Sequence, residues 1–235
     1  MTRAARAGTR VVVKRGRHGL EMRVNGTLAS LQRPGGGVTG TVWWALAAPV
    51  VLLRERPRVL LLGLAGGSVG QAVRTLSPRA ELVGVDCDRA VLRAARRHFG
   101  MDALGIEVVA DDALRYLRRE RRRFDLIVED LFVGGLRTVH KPEGLLEEGY
   151  PLIRERLRPQ GFVTSNTIHE TPAVARAMLG WGGAVLSMAV RGHWNHILFW
   201  GRALPEARAW RAVMEGFPAL ARVLPRLGMR RLADQ

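Results

Sequence analysis

The chain has 235 residues, 47% of them hydrophobic and 25% charged, which excludes a disordered or fibrous protein and fits one globular domain with a small appendage. Its single cysteine, Cys87, excludes an internal disulfide and a thiolate zinc cluster. A formal net charge of +16 favours an anionic partner, yet Lys14 and Lys141 are the only lysines among 37 basic residues, a skew that GC-rich coding produces as readily as a selected surface.

The opening MTRAARAGTRVVVKRGRHG is basic without an apolar core, so no signal peptide is expected and the cytoplasm is the expected location. RVVVKR, GLEMRVNG and TLASLQ read as short strands, with Asn25-Gly26 as a hairpin turn. They form an expected N-terminal β-hairpin region over residues 1–40, which ends in the glycine-rich linker RPGGG. TVWWALAAPVVLL then reads as a helix leading into the core of a domain over residues 41–235. Its apolar run is too short for a bilayer and is broken by Pro49, so no membrane partner is expected.

From Arg58 onward, apolar runs alternate with helical patterns. RVLLLG precedes SVGQAVRTL, ELVGVD precedes RAVLRAARRHFG, and IEVVA precedes DDALRYLRRE. FDLIVED precedes a loop and LLEEGYPLIRERL, and GFVTSNT precedes ETPAVARAML. Such continuous Val/Ile/Leu runs predict a doubly wound, Rossmann-like α/β domain with a parallel sheet. VLSMAVRG and HILFWG follow with only HWN between them, so they are expected to close the sheet as an antiparallel hairpin. That ending differs from a dinucleotide-binding dehydrogenase and matches a class I S-adenosylmethionine (SAM) methyltransferase fold. From Leu204 the chain reads as one or two amphipathic helices containing Trp210, Phe217 and Leu224. The densest charge run, RRERRRFD from Arg118, has no interleaved aromatics and reads as a solvated helix end more than a nucleic-acid patch.

Ligands of open α/β sheets bind outside the carboxyl ends of the strands. The glycine turn GLAGGS, Asp86, Asp112 and Asp130 fall at four consecutive junctions of that kind. Asp86 can accept both ribose hydroxyls, and Asp112 either meets an adenine amine or simply caps its helix. The expected nucleoside site comprises Gly63, Ala65, Gly66, Gly67, Asp86, Cys87, Asp112 and Ala113, with Cys87 buried and not catalytic. Asp130 is the candidate base or amine-orienting acid, with a plain turn acid as the alternative. Glu129 ranks below it because it points to the opposite face of its strand.

The segment from VLLLGLAGGSVG to FDLIVEDLF, with the upstream GLEMRVNGTLASL, resembles the spermidine synthase (polyamine aminopropyltransferase) family. The resemblance covers Val11 to Val163. It implies a methyltransferase-like domain binding decarboxylated SAM or SAM, and a homodimer built partly through the N-terminal region. Gly63 and Gly67 match the family's glycine motif, Asp86 its ribose acid, Asp112 its adenine-side acid and Asp130 its catalytic aspartate. The departures are as informative. Gly66 stands where the family has an acid for the aminopropyl ammonium, and Val133 where a second acid grips the diamine. TVWWALAAP replaces a Tyr-His-Glu run. An unpaired buried charge is very costly, so the acceptor is expected to be non-standard.

Trp43, His140, Asn166 and His169 are the candidate acceptor contacts, Trp43 because a ring face can replace a carboxylate around a cation. His193 and His196 face opposite sides of a strand, and no metal is expected. Three rival readings remain: a nucleic-acid-directed methyltransferase or binder, a non-catalytic nucleoside-binding homologue, and a dehydrogenase.

Overall fold

A computed structural model describes residues 9–33 and 41–232. Strands β1 (Val11–Gly16), β2 (Gly19–Val24) and β3 (Thr27–Gln32) form an antiparallel three-stranded sheet. Asn25 and Gly26 both adopt left-handed backbone, with φ of 49° and 86°, as an Asn-Gly hairpin turn demands. Of the RPGGG linker only Arg33 is among the described residues, so the expected boundary after residue 40 lies outside them.

Helix α1 (Thr41–Ala47) is buried along its whole length. It tightens into a 3-10 turn over Ala48–Leu52, because Pro49 lacks the amide that would extend an α-helix. The core then alternates as the apolar runs require: β4 (Arg58–Leu62), α2 (Ser68–Leu76), β5 (Glu81–Val85), α3 (Arg89–Phe99), β6 (Ile106–Val109) and α4 (Ala113–Arg119). It continues with β7 (Phe124–Glu129), α5 (Tyr150–Glu155), β8 (Leu157–Thr167) and α6 (Thr171–Leu179). β9 (Ala184–Val190) and β10 (His196–Gly201) follow, then α7 (Ala207–Glu215), α8 (Pro218–Ala221) and β11 (Leu227–Leu232).

These strands form one eight-stranded sheet in the order β11-β9-β10-β8-β7-β4-β5-β6. β8 to β6 run parallel, while β10 lies antiparallel between β8 and β9. The expected mixed sheet ending in an antiparallel hairpin is therefore the fold. Alternate residues feed two cores: Val59 and Leu61 of β4 face one side, Leu60 and Leu62 the other.

One correction concerns the C-terminus, expected to be helical throughout. β11 instead pairs antiparallel with β9. Its sequence LGMRRL gives little alternation to read, because an edge strand buries little and carries charge outward. Three arginines of the basic run at Arg118 form ion pairs within the chain. Arg118 pairs with Glu148, Arg119 with Asp111 at 2.6 Å, and Arg122 with both Glu107 and Glu120 at 2.7 Å. No helix among the described residues is long and apolar enough to cross a membrane.

Candidate functional site

Chain progress reverses between β4 and β7: β5 and β6 continue on one side of β4, and β7 and β8 on the other. At that switch point a cleft of about 1350 Å³ opens over the carboxyl ends of the strands, walled opposite by the N-terminal sheet.

The nucleoside half is built on the glycine turn. Gly63 has φ 86°, and a Cβ there would sit 2.4 Å from the Asp130 carbonyl oxygen, so only glycine fits. The ends of β4 and β7 are thereby packed backbone to backbone. Asp86 fixes the turn from the next strand: Oδ2 accepts from the Leu64 and Ala65 amides at 3.2 and 3.0 Å, and Oδ1 from the Asp88 amide at 2.9 Å. Desolvation pushes the Asp86 carboxyl above its ordinary value, opposed by those three amides. Oδ1 keeps acceptor capacity for a further donor, while Oδ2 already accepts two.

Gly63, Ala65, Asp86, Cys87, Asp112 and Ala113 all line the cleft. Asp112 does so while capping α4, its Oδ1 accepting from the Arg115 amide at 3.0 Å. Three expectations need correction. Gly66 and Gly67 lie outside the lining: Gly66 faces Ser30 and Phe99, and Gly67 faces Met101 and Leu104. Cys87 is exposed at the cleft rather than buried.

Ser30 was invisible to sequence reasoning, since nothing in TLASLQ marks it. It is fully buried, and its Oγ accepts from the Gly66 amide at 2.8 Å. The Leu31 amide in turn donates to Ser68 Oγ at 3.2 Å, so the N-terminal sheet is latched to the glycine turn. A Cβ on Gly66 would lie 2.7 Å from the Ser30 Cβ. Gly66→Asp is therefore expected to overpack this joint and lower stability by about 1–3 kcal/mol without improving diamine binding, as thermal melts and titration with putrescine will measure.

In the acceptor half, Asp130 follows β7 and reaches into the cleft. The Asn166 amide at the end of β8 donates to Asp130 Oδ1 at 2.8 Å. Asn195 donates to Asn166 Oδ1, also at 2.8 Å. Asn195 was missed because it joins the site only through the β8–β10 pairing, which sets His196 opposite Thr167. Desolvation raises the Asp130 carboxyl to about 6, against the Asn166 hydrogen bond and the nearby Lys141 charge. Trp43, His140 and Asn166 line the cleft. His169 does not: Glu170 and Thr171 bond the Ile168 backbone at 3.3 and 2.9 Å as the chain turns into α6, leaving His169 exposed outside.

Behind Asp130, Glu129 is fully buried on the opposite strand face. Its carboxylate accepts from Lys141 Nζ at 2.6 Å, Ser165 Oγ at 2.5 Å, Tyr150 OH at 3.0 Å and the Leu131 amide at 2.8 Å. Lys141 also lies 4.1 Å from the Phe132 ring centroid. Among the described residues no group of three His, Cys, Asp or Glu is placed to hold a metal ion.

No protein-family model matches the chain. A polyamine aminopropyltransferase of Vibrio vulnificus (strain CMCP6) is 29% identical over 123 residues, which is 50% of this chain and 40% of that protein. The chain's match thus spans well under two thirds of that relative's length. Among solved structures, a probable spermidine synthase from Corynebacterium glutamicum ATCC 13032 superposes with a TM-score of 0.73 at 17% identity, covering 95% of this chain and 90% of that one. Human methyltransferase-like protein 13 in complex with SAH gives 0.63 at 22% identity, covering 84% and 96%. The chain has the spermidine-synthase-like variant of the class I methyltransferase fold.

Proposed function

We propose that this chain is an alkyl transferase, moving an aminopropyl or methyl group from decarboxylated SAM or SAM to an amine. One observation carries the reading: Asp86 braced against the glycine turn, and Asp130 across the same cleft where β4 and β7 meet. The named functions of the relatives point the same way.

The residues fit the nucleoside. The remaining acceptor site on Asp86 Oδ1 suits a ribose hydroxyl, and Asp112 stands exposed farther along the cleft for the base. A bound sulfonium nucleoside supplies an electrophilic carbon: the amine lone pair forms the new C–N bond, the C–S bond breaks, and its electrons leave on a neutral thioether. The surplus amine proton passes to Asp130. With a carboxyl near 6, Asp130 is ionised at neutral pH and well matched to accept it. Asn166, itself held by Asn195, fixes the carboxylate's direction, and such alignment contributes up to roughly 7–11 kcal/mol to transfer reactions.

Calorimetric titration with SAM, decarboxylated SAM, methylthioadenosine and NADH tests this. The sulfur nucleosides are expected to bind and NADH not, with Asp86→Ala weakening them at least about tenfold. Binding of NADH alone, or an Asp86→Ala variant that binds as wild type does, overturns the assignment.

A second reading, methyl transfer to RNA, is favoured by Trp194. This residue is 85% exposed in the β9–β10 turn, between His193 and Asn195 that line the cleft, and offers a face for a base to stack on in a chain of net charge +16. It predicts RNA binding that falls steeply with salt. A cytoplasmic location and a homodimer through the N-terminal sheet complete the proposal.

A further inference from the structure

The carboxylates lining the cleft are confined to one stretch of chain: Asp86, Asp88, Asp111, Asp112 and Asp130. The first four flank the nucleoside half, and Asp111 is already paired with Arg115 and Arg119. The described walls contributed by residues 9–43 and 131–226 hold no carboxylate. They hold arginines instead: Arg15, Arg17 and Arg33 on the N-terminal side, and Arg226 on the C-terminal side. None of the four makes an ion pair among the described residues.

Arg226 is tied directly to the Asp130 end. Its backbone carbonyl accepts from the Arg191 amide at 2.9 Å, and its Nη2 donates to the Arg191 carbonyl at 3.2 Å. That clamps it to the β9–β10 turn, the turn that carries His193 and Asn195 into the cleft. Asn195 leads through Asn166 to Asp130 in two hydrogen bonds of 2.8 Å. Desolvation, and secondarily the Arg226 guanidinium, hold the His193 imidazole below its usual value, so that ring adds no competing charge at neutral pH.

A diamine bound here would present one amine to Asp130 and leave its far ammonium facing guanidinium with no anion to meet it. An anion at that far end finds a planar donor fork suited to carboxylate or phosphate. We infer that the acceptor is an amine bearing an anionic group, carboxylate or phosphate, which Arg226 receives while Asp130 takes the amine. This rests on the sulfonium-nucleoside reading above and specifies its acceptor. It also accounts for Val133: the acid that would suit the far end of a cationic chain is missing from a wall whose charged side chains are arginines.

The test is calorimetric binding of three amines that differ only at the far end, 4-aminobutyrate, 3-aminopropyl phosphate and putrescine, at saturating methylthioadenosine. One or both anionic amines are expected to bind at least about tenfold tighter than putrescine, and the tighter of the two identifies the anion. Arg226→Gln should cost that amine about tenfold while leaving methylthioadenosine binding unchanged and putrescine bound no more weakly, and Arg226→Glu should reverse the order. Arg226 is exposed and its backbone bond to Arg191 survives substitution, so thermal melts of the variants should stay close to wild type. Putrescine binding as tightly as the anionic amines, or an Arg226→Gln variant that keeps their affinity, overturns the inference with the nucleoside site intact. Failure of methylthioadenosine itself to bind overturns the underlying reading and this inference with it.

Discussion

Asp130→Asn is expected to lower kcat by about 10²–10⁴-fold, the range a positioned general base contributes, and at the same time to stabilise the fold at neutral pH. Both effects come from one cause. The carboxylate is held in a poorly solvated position that raises it from the ordinary 3.8 to about 6. Between those values the folded state binds a proton that the unfolded chain has released, so stability falls as pH rises from about 4 through 6. Part of the shift is screened because the side chain meets the open cleft, which leaves a penalty on the order of 1–2 kcal/mol above pH 6. The isosteric amide carries no such penalty. Melting curves should therefore show the variant a few degrees higher at pH 7 and level with wild type near pH 4. Wild-type kcat/KM should lose activity on the acid side with a midpoint near 6, and the variant's residual rate should lack that limb. A variant with unchanged rate, or no pH-dependent gain in stability, removes Asp130 from the role of base.

The largest loss of stability is expected from Lys141→Met, about 3–5 kcal/mol by urea unfolding. Lys141 and Glu129 are 6% and 0% exposed, and removing the ammonium strands a carboxylate in the interior. Tyr150, Ser165 and the Leu131 amide still donate to Glu129, but none brings a positive charge. Lys141→Met combined with Glu129→Gln should recover most of the deficit. There is also a catalytic signature. Lys141 helps hold the Asp130 carboxyl down, so its loss should move the acid limb of the rate profile upward. A single variant as stable as the double one would show that the pair contributes little.

The α/β alternation and the antiparallel ending were legible because buried parallel strands must be written as unbroken apolar runs, and because HWN is too short for a crossover. Asp86, Asp112 and Asp130 all line the cleft, since each follows the carboxyl end of a strand, and that end is a local property of the sequence. What eluded reading depends on pairings between distant segments. Asn195 and Arg226 enter the cleft through the β8–β10 and β9–β11 registers. Ser30 acts only through a contact with a turn 36 residues away. Gly66 misled for the same reason: its motif position implied an open path to the ligand, and the space is filled from the N-terminal sheet. His169 was misjudged because the hydrogen bonds that start α6 turn the chain one residue after the last position lining the cleft.

The Ser30–Gly66 contact also constrains the routes by which such a chain can change its chemistry over generations. Reintroducing an acid at 66 collides with Ser30, and trimming Ser30 to alanine first leaves the buried Gly66 amide without its acceptor. Either step alone is penalised, and a lineage moves between the two states only by altering both. Along Arg226 and the β9–β10 turn, by contrast, exposed side chains can be exchanged one at a time with no such coupled step.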